Sequence, residues 1–306
     1  MIAFVFPGQG AQKVGMGRSL AAAFPLCRET FDEADDALGE KLSTLCFEGP
    51  DDRLMLTENT QPAILAMSTA VARLAVSRGI LPRFAAGHSL GEYSAHVAAG
   101  TLSFADALRT VRRRGRYMQE AVPVGEGAMA AIFGLDAAGV AKACAEAADG
   151  QIVTPANLNA PGQIVIAGHT QAVARAGERA KALGAKRAIP LAVSAPFHCP
   201  LMKPAEDRLA PELRALASKD PAFPVVANVD GEPKRTAADS IEALILQVSS
   251  PVRWEDVVKR LVVEGARTFI ELGPGSVLAG LIKKIDRSVT IMSIEDEAGL
   301  EAALKL

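Results

Sequence analysis

The sequence predicts an α/β fold in which a large domain on a mostly parallel sheet is interrupted by a smaller subdomain. Residues 2–6 (IAFVF) form a wholly apolar run that ends at Pro7-Gly8, which is typical of a strand buried on both faces. Short apolar runs then alternate with stretches of helical periodicity, as expected for a parallel sheet. After residues 123–125 the order of elements becomes β-α-β-β-α-β, which marks a separate unit.

The first half of the large domain alternates between strands and helices. After the strand at 2–6, helical periodicity predicts a long helix at 19–38. The elements that we expect next are a helix at 61–77, a strand at 84–87, and helices at 91–99 and 104–120.

The inserted unit covers residues 125–193. We predict its strands at 128–133, 151–157, 163–167 and 186–191, and its helices at 136–148 and 170–183. Because this β-α-β-β-α-β order is the ferredoxin-like arrangement, we expect a ferredoxin-like subdomain between two segments of the large domain, 1–124 and 194–306.

The large domain resumes at Ser194 and again alternates helices with strands. We expect a helix at 201–218, a short strand at 225–228, helices at 241–248 and 254–264, a strand at 268–272 and a helix from residue 276.

Composition excludes several classes of protein. The 306 residues carry a formal net charge of −2, so nothing marks the chain as a nucleic-acid binder. The four cysteines form no C-x-x-C pair and no zinc-like spacing, so we expect a reducing, cytoplasmic setting and no metal site. No apolar run is long enough to span a bilayer and no signal peptide is evident, so we expect no membrane partner.

Residues 87–91 (GHSLG) satisfy the pattern G-x-S-x-G, between an apolar strand and an alanine-rich helix. In such an elbow the serine lies on a sharp turn, where flanking glycines are needed because strand and helix crowd together. The turn exposes the Oγ of Ser89 and directs the amide of Leu90 toward the place where an oxyanion would form. We therefore predict that Ser89 is a nucleophile, although three fixed positions can also match by chance.

A neutral serine needs a base, and the chain has four histidines. His88 adjoins Ser89, so its ring should point elsewhere on a tight turn, whereas His96 and His169 lie on or beside predicted helices. His198 lies in a proline-flanked loop after the nucleophile, which makes it the preferred base, although a purely structural loop histidine stays an alternative. Cys199 is a rival nucleophile, but His198 cannot easily turn to serve it, so we expect a small buried residue.

Several motifs, in order along nearly the whole chain, resemble those of malonyl-CoA:acyl-carrier-protein transacylases. The motifs are FPGQGAQ at 6–12, GHSLGEY at 87–93, RGRYMQ at 114–119, NLNAPGQ at 157–163, FH at 197–198 and GPG at 273–275. The resemblance implies an α/β-hydrolase-like large domain with a ferredoxin-like insertion. It also implies a ping-pong transfer of malonyl from malonyl-CoA to the phosphopantetheine thiol of acyl carrier protein, supplying fatty-acid synthesis without a cofactor.

The resemblance also implies roles for individual residues. Ser89 matches the nucleophile and His198 its base, and the backbone amides of Gln9 and Leu90 match the oxyanion hole. The last role falls on Gln247, whose main-chain carbonyl would orient the histidine in place of an acidic residue.

Two further residues match positions that select the acyl group in this family. Arg114 matches the arginine that pairs with the malonyl carboxylate, although it lies in a run of arginines, and such runs are usually solvated. The other arginines could form a basic surface for an acidic carrier protein. Phe197 stands where a small polar residue is often found, and its ring should favour malonyl over methylmalonyl units.

Three other functions stay open at this stage. An esterase or thioesterase could use the same elbow, although an arginine facing the acyl pocket argues against a lipid substrate. The sequence does not clearly distinguish a fatty-acid transacylase from an acyltransferase that serves a polyketide pathway in trans. A nucleotide-binding module is disfavoured because Lys13 occupies the third glycine position of G-x-G-x-x-G.

Overall fold

Two β-sheets organise the protein. The computed structural model describes residues 1–193 and 195–305, and these residues form ten strands. In chain order the strands are β1 (Ile2–Phe6), β2 (Phe84–Gly87), β3 (Gly127–Phe133), β4 (Val153–Ala160), β5 (Gln163–His169), β6 (Arg187–Pro190), β7 (Val225–Val226), β8 (Pro233–Lys234), β9 (Thr268–Leu272) and β10 (Thr290–Ile294).

Helices cover both sheets. The α-helices of the described residues are α1 (Arg18–Ala23), α2 (Pro25–Leu38), α3 (Leu42–Glu48), α4 (Asp51–Leu54), α5 (Thr57–Ser77), α6 (Leu90–Ala98), α7 (Phe104–Glu120), α8 (Ala137–Ala147), α9 (Thr170–Ala182), α10 (Lys203–Arg214), α11 (Ala237–Leu246), α12 (Trp254–Val263), α13 (Val277–Ile285) and α14 (Glu297–Ala303). None of them is both long and apolar enough to cross a membrane.

The larger sheet has the strand order β10-β9-β1-β2-β7-β8 and is parallel except for the pair β7–β8. Phe4 and Phe6 pack into the core layer on one face, and Ala3 and Val5 pack into the layer on the other. Burial on both faces explains why β1 is apolar at consecutive positions. Because β1 and β2 are parallel neighbours, the loops that follow their carboxyl ends meet at one edge of the sheet.

The smaller sheet has the order β4-β5-β3-β6 and is antiparallel throughout. Its helices α8 and α9 pack with it around a separate hydrophobic cluster, and this order matches the expected ferredoxin-like arrangement. The expected domain boundaries at 124/125 and 193/194 stay predictions, and Ser194 lies outside the described residues.

Some predicted elements differ from the observed ones. The single helix expected at 19–38 is wrong, because Phe24 is extended (φ −126°, ψ 115°) and Pro25 begins a new helix. The helix expected at 201–218 starts with a 3₁₀ turn at Pro200–Met202 and ends at Arg214. Strand β10, at the sheet edge, was not predicted at all.

Candidate active site

Ser89 lies at the turn between β2 and α6, with an unusual backbone conformation (φ 51°, ψ −107°). The flanking positions require glycine because a Cβ there would clash with neighbouring backbone atoms. A Cβ on Gly87 would lie 1.9 Å from the backbone carbon of Gly91, and a Cβ on Gly91 would lie 2.0 Å from the carbonyl oxygen of Phe6. The close approach of β1, β2 and α6 therefore produces the strained bend that presents Ser89.

His198 is the hydrogen-bond partner of the Ser89 hydroxyl. Its Nε2 lies 2.6 Å from Ser89 Oγ, and its Nδ1 lies 3.0 Å from the main-chain oxygen of Gln247. Because a carbonyl oxygen only accepts, Nδ1 carries the hydrogen and the lone pair of Nε2 faces the hydroxyl. The arrangement is that of a base poised to take the serine proton.

The environment keeps His198 neutral. Burial, followed by the positive charge of Arg114, lowers the pKa of His198 to about 3. A histidine with a lowered pKa is unprotonated at neutral pH, so its Nε2 is free to accept a proton.

Arg114, on α7, points its guanidinium at the same serine. Nη2 lies 3.1 Å from Ser89 Oγ and 2.8 Å from Gln247 Oε1, and Nη1 lies 2.8 Å from Gln61 Oε1. The guanidinium stacks over the ring of Tyr93 at 5.4 Å, and the whole residue is only 2% exposed. Among the described residues no carboxylate lies within ion-pair distance, so this buried cation has neutral partners and suits an anionic ligand.

These groups share one small cavity of about 140 Å³. Of the residues predicted for the site, those that line it are Gln9, Ser89, Leu90, Arg114, Phe197 and His198. Gln247 lies behind the lining and reaches the site through its hydrogen bonds. Cavities of about 450 and 820 Å³ exist elsewhere, but Ser89, Arg114 and His198 line neither of them.

Gln9 and Leu90 are the two residues predicted to bind an oxyanion beside Ser89. Gln9 follows β1 and Ser89 follows β2, the strands whose Phe6 and Gly87 are paired in register. Leu90 is the first residue of α6, where a backbone amide has no acceptor within the helix. Both residues are therefore located where an oxyanion could be bound, and that role stays a prediction.

The remaining histidines and the rival cysteine have other partners. His88 Nε2 lies 2.8 Å from Asn159 Oδ1, His96 is fully buried beside Thr101, and His169 Nδ1 accepts from a backbone amide. Cys199 is buried, and burial raises the pKa of its thiol to about 11, which disfavours a thiolate. In the described residues no group of three His, Cys, Asp or Glu side chains could hold a metal ion.

Sequence reasoning missed three members of the site. Gln61 on α5 contacts Arg114, Asn228 contacts the backbone of Ser89, and Glu92 contacts Gln247. No local pattern identifies Gln61 or Asn228, because they lie 53 and 139 residues away from their partners. Glu92 stands inside the motif at 87–93, but its position there indicates no contact.

Comparison with known proteins adds independent information. Residues 3–300 match the model of the acyl transferase domain family. The malonyl CoA-acyl carrier protein transacylases of Salmonella typhimurium and Bacillus subtilis are each 52% identical, over 99% of this chain and 98% and 96% of theirs. The solved structure of a malonyl-transacylase in complex with a type II polyketide-synthase acyl-carrier protein is 50% identical, covers 99% of both chains and has a TM-score of 0.97. The chain therefore belongs to the acyl transferase domain family and, within it, to the malonyl CoA-acyl carrier protein transacylases.

Proposed function

We propose that the protein transfers a malonyl group from malonyl-CoA to the phosphopantetheine thiol of acyl carrier protein through a malonyl-Ser89 ester. One observation carries the proposal: Ser89 Oγ lies within hydrogen-bond distance of both His198 Nε2 and Arg114 Nη2 in a single cavity. The names of its 52% identical relatives support the same substrates.

In the first half-reaction Ser89 attacks the thioester carbon of malonyl-CoA. His198 Nε2 takes the hydroxyl proton while the bond from Ser89 Oγ to carbon forms. When the carbon–sulfur bond breaks, the same proton passes from His198 to the departing CoA sulfur. The products are CoA thiol and the malonyl-Ser89 ester, so protons and electron pairs balance.

We propose that the backbone amides of Gln9 and Leu90 bind the negative oxygen of each tetrahedral intermediate. Their support is location, since both residues line the cavity that contains Ser89. Each preorganised donor of this kind contributes about 3–4 kcal/mol of transition-state stabilisation in serine enzymes.

In the second half-reaction the carrier-protein thiol attacks the malonyl-Ser89 ester, at the step where a hydrolase would use water. His198 takes the thiol proton, sulfur attacks the ester carbon, and the proton returns to Ser89 as the carbon–oxygen bond breaks. While His198 is protonated, the main-chain carbonyl of Gln247 accepts from Nδ1 and holds the ring. A neutral carbonyl therefore does the orienting that an acidic residue does in a Ser-His-Asp triad.

We propose that Arg114 and Phe197 select the acyl group. The guanidinium of Arg114 pairs with the free malonyl carboxylate, which would be costly to bury alone. Phe197 is only 9% exposed and lines the same small cavity, so its ring would crowd a methyl branch next to the thioester.

Two alternatives concern the acceptor of the malonyl group. A hydrolase would give the ester to water, and a polyketide acyltransferase would give it to another carrier protein. The second has specific support, because the transacylase solved with a polyketide-synthase carrier protein is 50% identical to this chain. Comparing transfer rates to fatty-acid and polyketide carrier proteins would separate the two pathways, and we propose that the protein serves fatty-acid synthesis.

The proposal includes three further points about the protein. The reaction needs no cofactor, because protein groups supply proton transfer, oxyanion binding and carboxylate recognition. A cytoplasmic location fits four cysteines that are all free thiols. Residues 125–193 form a subdomain between the two segments of the large domain, as their separate hydrophobic cluster supports.

Intact-mass analysis after mixing with malonyl-CoA tests the proposal. We expect a malonyl adduct on the wild-type protein and none on Ser89→Ala. A matched control is Ser77→Ala, at the end of α5 and outside the cavity lining, which should still form the adduct. An adduct of equal yield on Ser89→Ala would refute the nucleophile.

A further inference from the structure

Glu92 is a fully buried carboxylate three residues after the nucleophile, in the first turn of α6. Its Oε2 accepts hydrogen bonds from the backbone amide of Asn228 at 3.0 Å and from Gln247 Nε2 at 2.8 Å. Among the described residues no cation lies within ion-pair distance of it, and burial raises the pKa of its carboxyl group to about 7. Burying a carboxyl group without a paired cation costs free energy, so we expect its two hydrogen bonds to have a role.

The hydrogen bond from Gln247 Nε2 to Glu92 fixes the orientation of the Gln247 amide. Gln247 Nε2 donates to Glu92 Oε2 and, at 2.9 Å, to the backbone oxygen of Ser89, while Gln247 Oε1 accepts from Arg114 Nη2. If the amide were flipped, its NH₂ group would face the guanidinium and its oxygen would face the carboxyl oxygen. Glu92, together with the Ser89 carbonyl, thus holds the amide so that Arg114 meets an acceptor, although Glu92 does not touch Arg114 through a hydrogen bond.

The hydrogen bond from the Asn228 amide to Glu92 fixes Asn228, which braces the strained turn. Asn228 Oδ1 accepts from the amide of Ser89 and Asn228 Nδ2 donates to the carbonyl of Gly87, both at 2.7 Å. One side chain therefore holds the chain on both sides of residue 88. Ser89 has a positive φ, and such a conformation persists only where its surroundings hold it.

We propose that Glu92 is a positioning residue for both parts of the site. Through Gln247 it orients the guanidinium of Arg114, and through Asn228 it holds the turn that presents Ser89. The required property is a hydrogen-bond acceptor at the position of Oε2. The inference rests on the proposed function, since it assigns the contact with Gln247 to carboxylate recognition and the contact with Asn228 to placement of the nucleophile.

Substitutions of Glu92 separate the acceptor from the charge. In Glu92→Ala the acceptor is lost, and we expect single-turnover acylation by both malonyl-CoA and acetyl-CoA to fall about 100-fold, since small misplacements of reacting groups have effects of this size. In Glu92→Gln the amide oxygen can accept the same two hydrogen bonds, so acylation should recover to within about 10-fold of wild type.

Gln247→Met tests the contact through which Glu92 acts on Arg114, namely the side-chain amide of Gln247. This variant keeps the backbone carbonyl that His198 needs and a side chain of similar length, but it loses the amide. Malonyl-CoA acylation should therefore fall at least about 10-fold more than acetyl-CoA acylation, because only malonyl uses Arg114. This comparison also serves if Glu92→Ala does not fold.

Glu271→Ala is the matched control for loss of a buried carboxylate. Glu271 is also fully buried, accepts two backbone hydrogen bonds from the start of α13, and has a pKa raised by burial to about 7. Its removal should lower the melting temperature and leave the acylation rates of the folded protein within about 3-fold of wild type.

Three results would overturn the inference. They are equal losses in Glu92→Gln and Glu92→Ala, equal malonyl and acetyl losses in Gln247→Met, and a loss in Glu271→Ala as large as that in Glu92→Ala. Failure of the proposed function is distinguishable, because it would appear as absence of a malonyl-Ser89 ester in the wild-type protein.

Discussion

Replacing Arg114 with alanine should abolish the preference for malonyl that we propose for this site, so that acyl groups are no longer distinguished by charge. The side chain is buried, and its guanidinium reaches within 3.1 Å of the nucleophilic oxygen. In Arg114→Ala a malonyl carboxylate would enter the cavity without a cation. An acetyl group has no carboxylate and loses nothing of this kind.

The size of the effect follows from the contacts of Arg114. A charge-assisted hydrogen bond contributes about 1.5–3 kcal/mol, so two parallel bonds to a carboxylate correspond to about 3–6 kcal/mol. The carboxylate must also lose its water on entering the cavity, which offsets part of this gain. We therefore expect a loss of about 10²–10³-fold in kcat/KM for malonyl-CoA, at 1.36 kcal/mol for each factor of ten.

Single-turnover acylation of Ser89 by malonyl-CoA and by acetyl-CoA measures this effect directly. Acetyl acylation should change by less than about 10-fold, since one hydrogen bond to Ser89 Oγ is lost. Arg116→Ala is a suitable control, because Arg116 lies on the same helix but is exposed and paired with Glu58. Equal losses for the two acyl groups in Arg114→Ala would refute the carboxylate-pairing role.

Three other predictions concern the base, the elbow and the acyl pocket. Because the pKa of His198 is lowered to about 3, the base stays neutral as pH falls, and acylation by Glu92→Gln, which lacks the carboxyl group whose pKa is about 7, should show no histidine titration near 6.5 between pH 5 and 8; a midpoint there would contradict it. Gly91→Ala should destabilise the fold by about 3 kcal/mol or more in denaturant unfolding, whereas Gly280→Ala, an open helical position, should stabilise it by about 0.5–1 kcal/mol; similar effects would refute the steric argument. Phe197→Ser should raise methylmalonyl-CoA relative to malonyl-CoA turnover about 10-fold, and an unchanged ratio would exclude crowding by the ring.

The local parts of the site could be predicted from the sequence because they are contiguous. A strand, a serine between glycines and a helix specify the turn, and the close approaches at Gly87 and Gly91 explain why no larger residue fits there. His198 was preferred among the four histidines as the base, and the structure places it beside Ser89, whereas His88, His96 and His169 have other partners; its role as the base stays a prediction.

The network behind the site could not be predicted, because its members are far apart in the chain and each has an ordinary local context. Gln247 was selected for its backbone carbonyl, yet its side chain also joins Arg114, Glu92 and Ser89. Only the fold brings α6 and the end of α11 together. Amide orientation depends on these tertiary contacts and not on any periodicity.

The fold was predicted where periodicity was strong and missed where it was weak. The apolar run of β1 and the β-α-β-β-α-β order carried clear signals. In contrast, β10 is an edge strand whose side chains are mostly half-buried, so it shows neither a fully apolar run nor a strict alternation. At residues 24–25 the apolar pattern continues through a break in the helix, and the proline determines the break.

The central claim is that the malonyl group is held on Ser89 and then passed to a thiol. The most direct test is a chase: the protein is acylated with labelled malonyl-CoA, separated from free CoA, and mixed with holo-acyl carrier protein in water. We predict that the label leaves Ser89 and appears as a thioester on the carrier protein much faster than as free malonate. Release of the label chiefly as malonate, or a label found on a residue other than Ser89, would contradict the account.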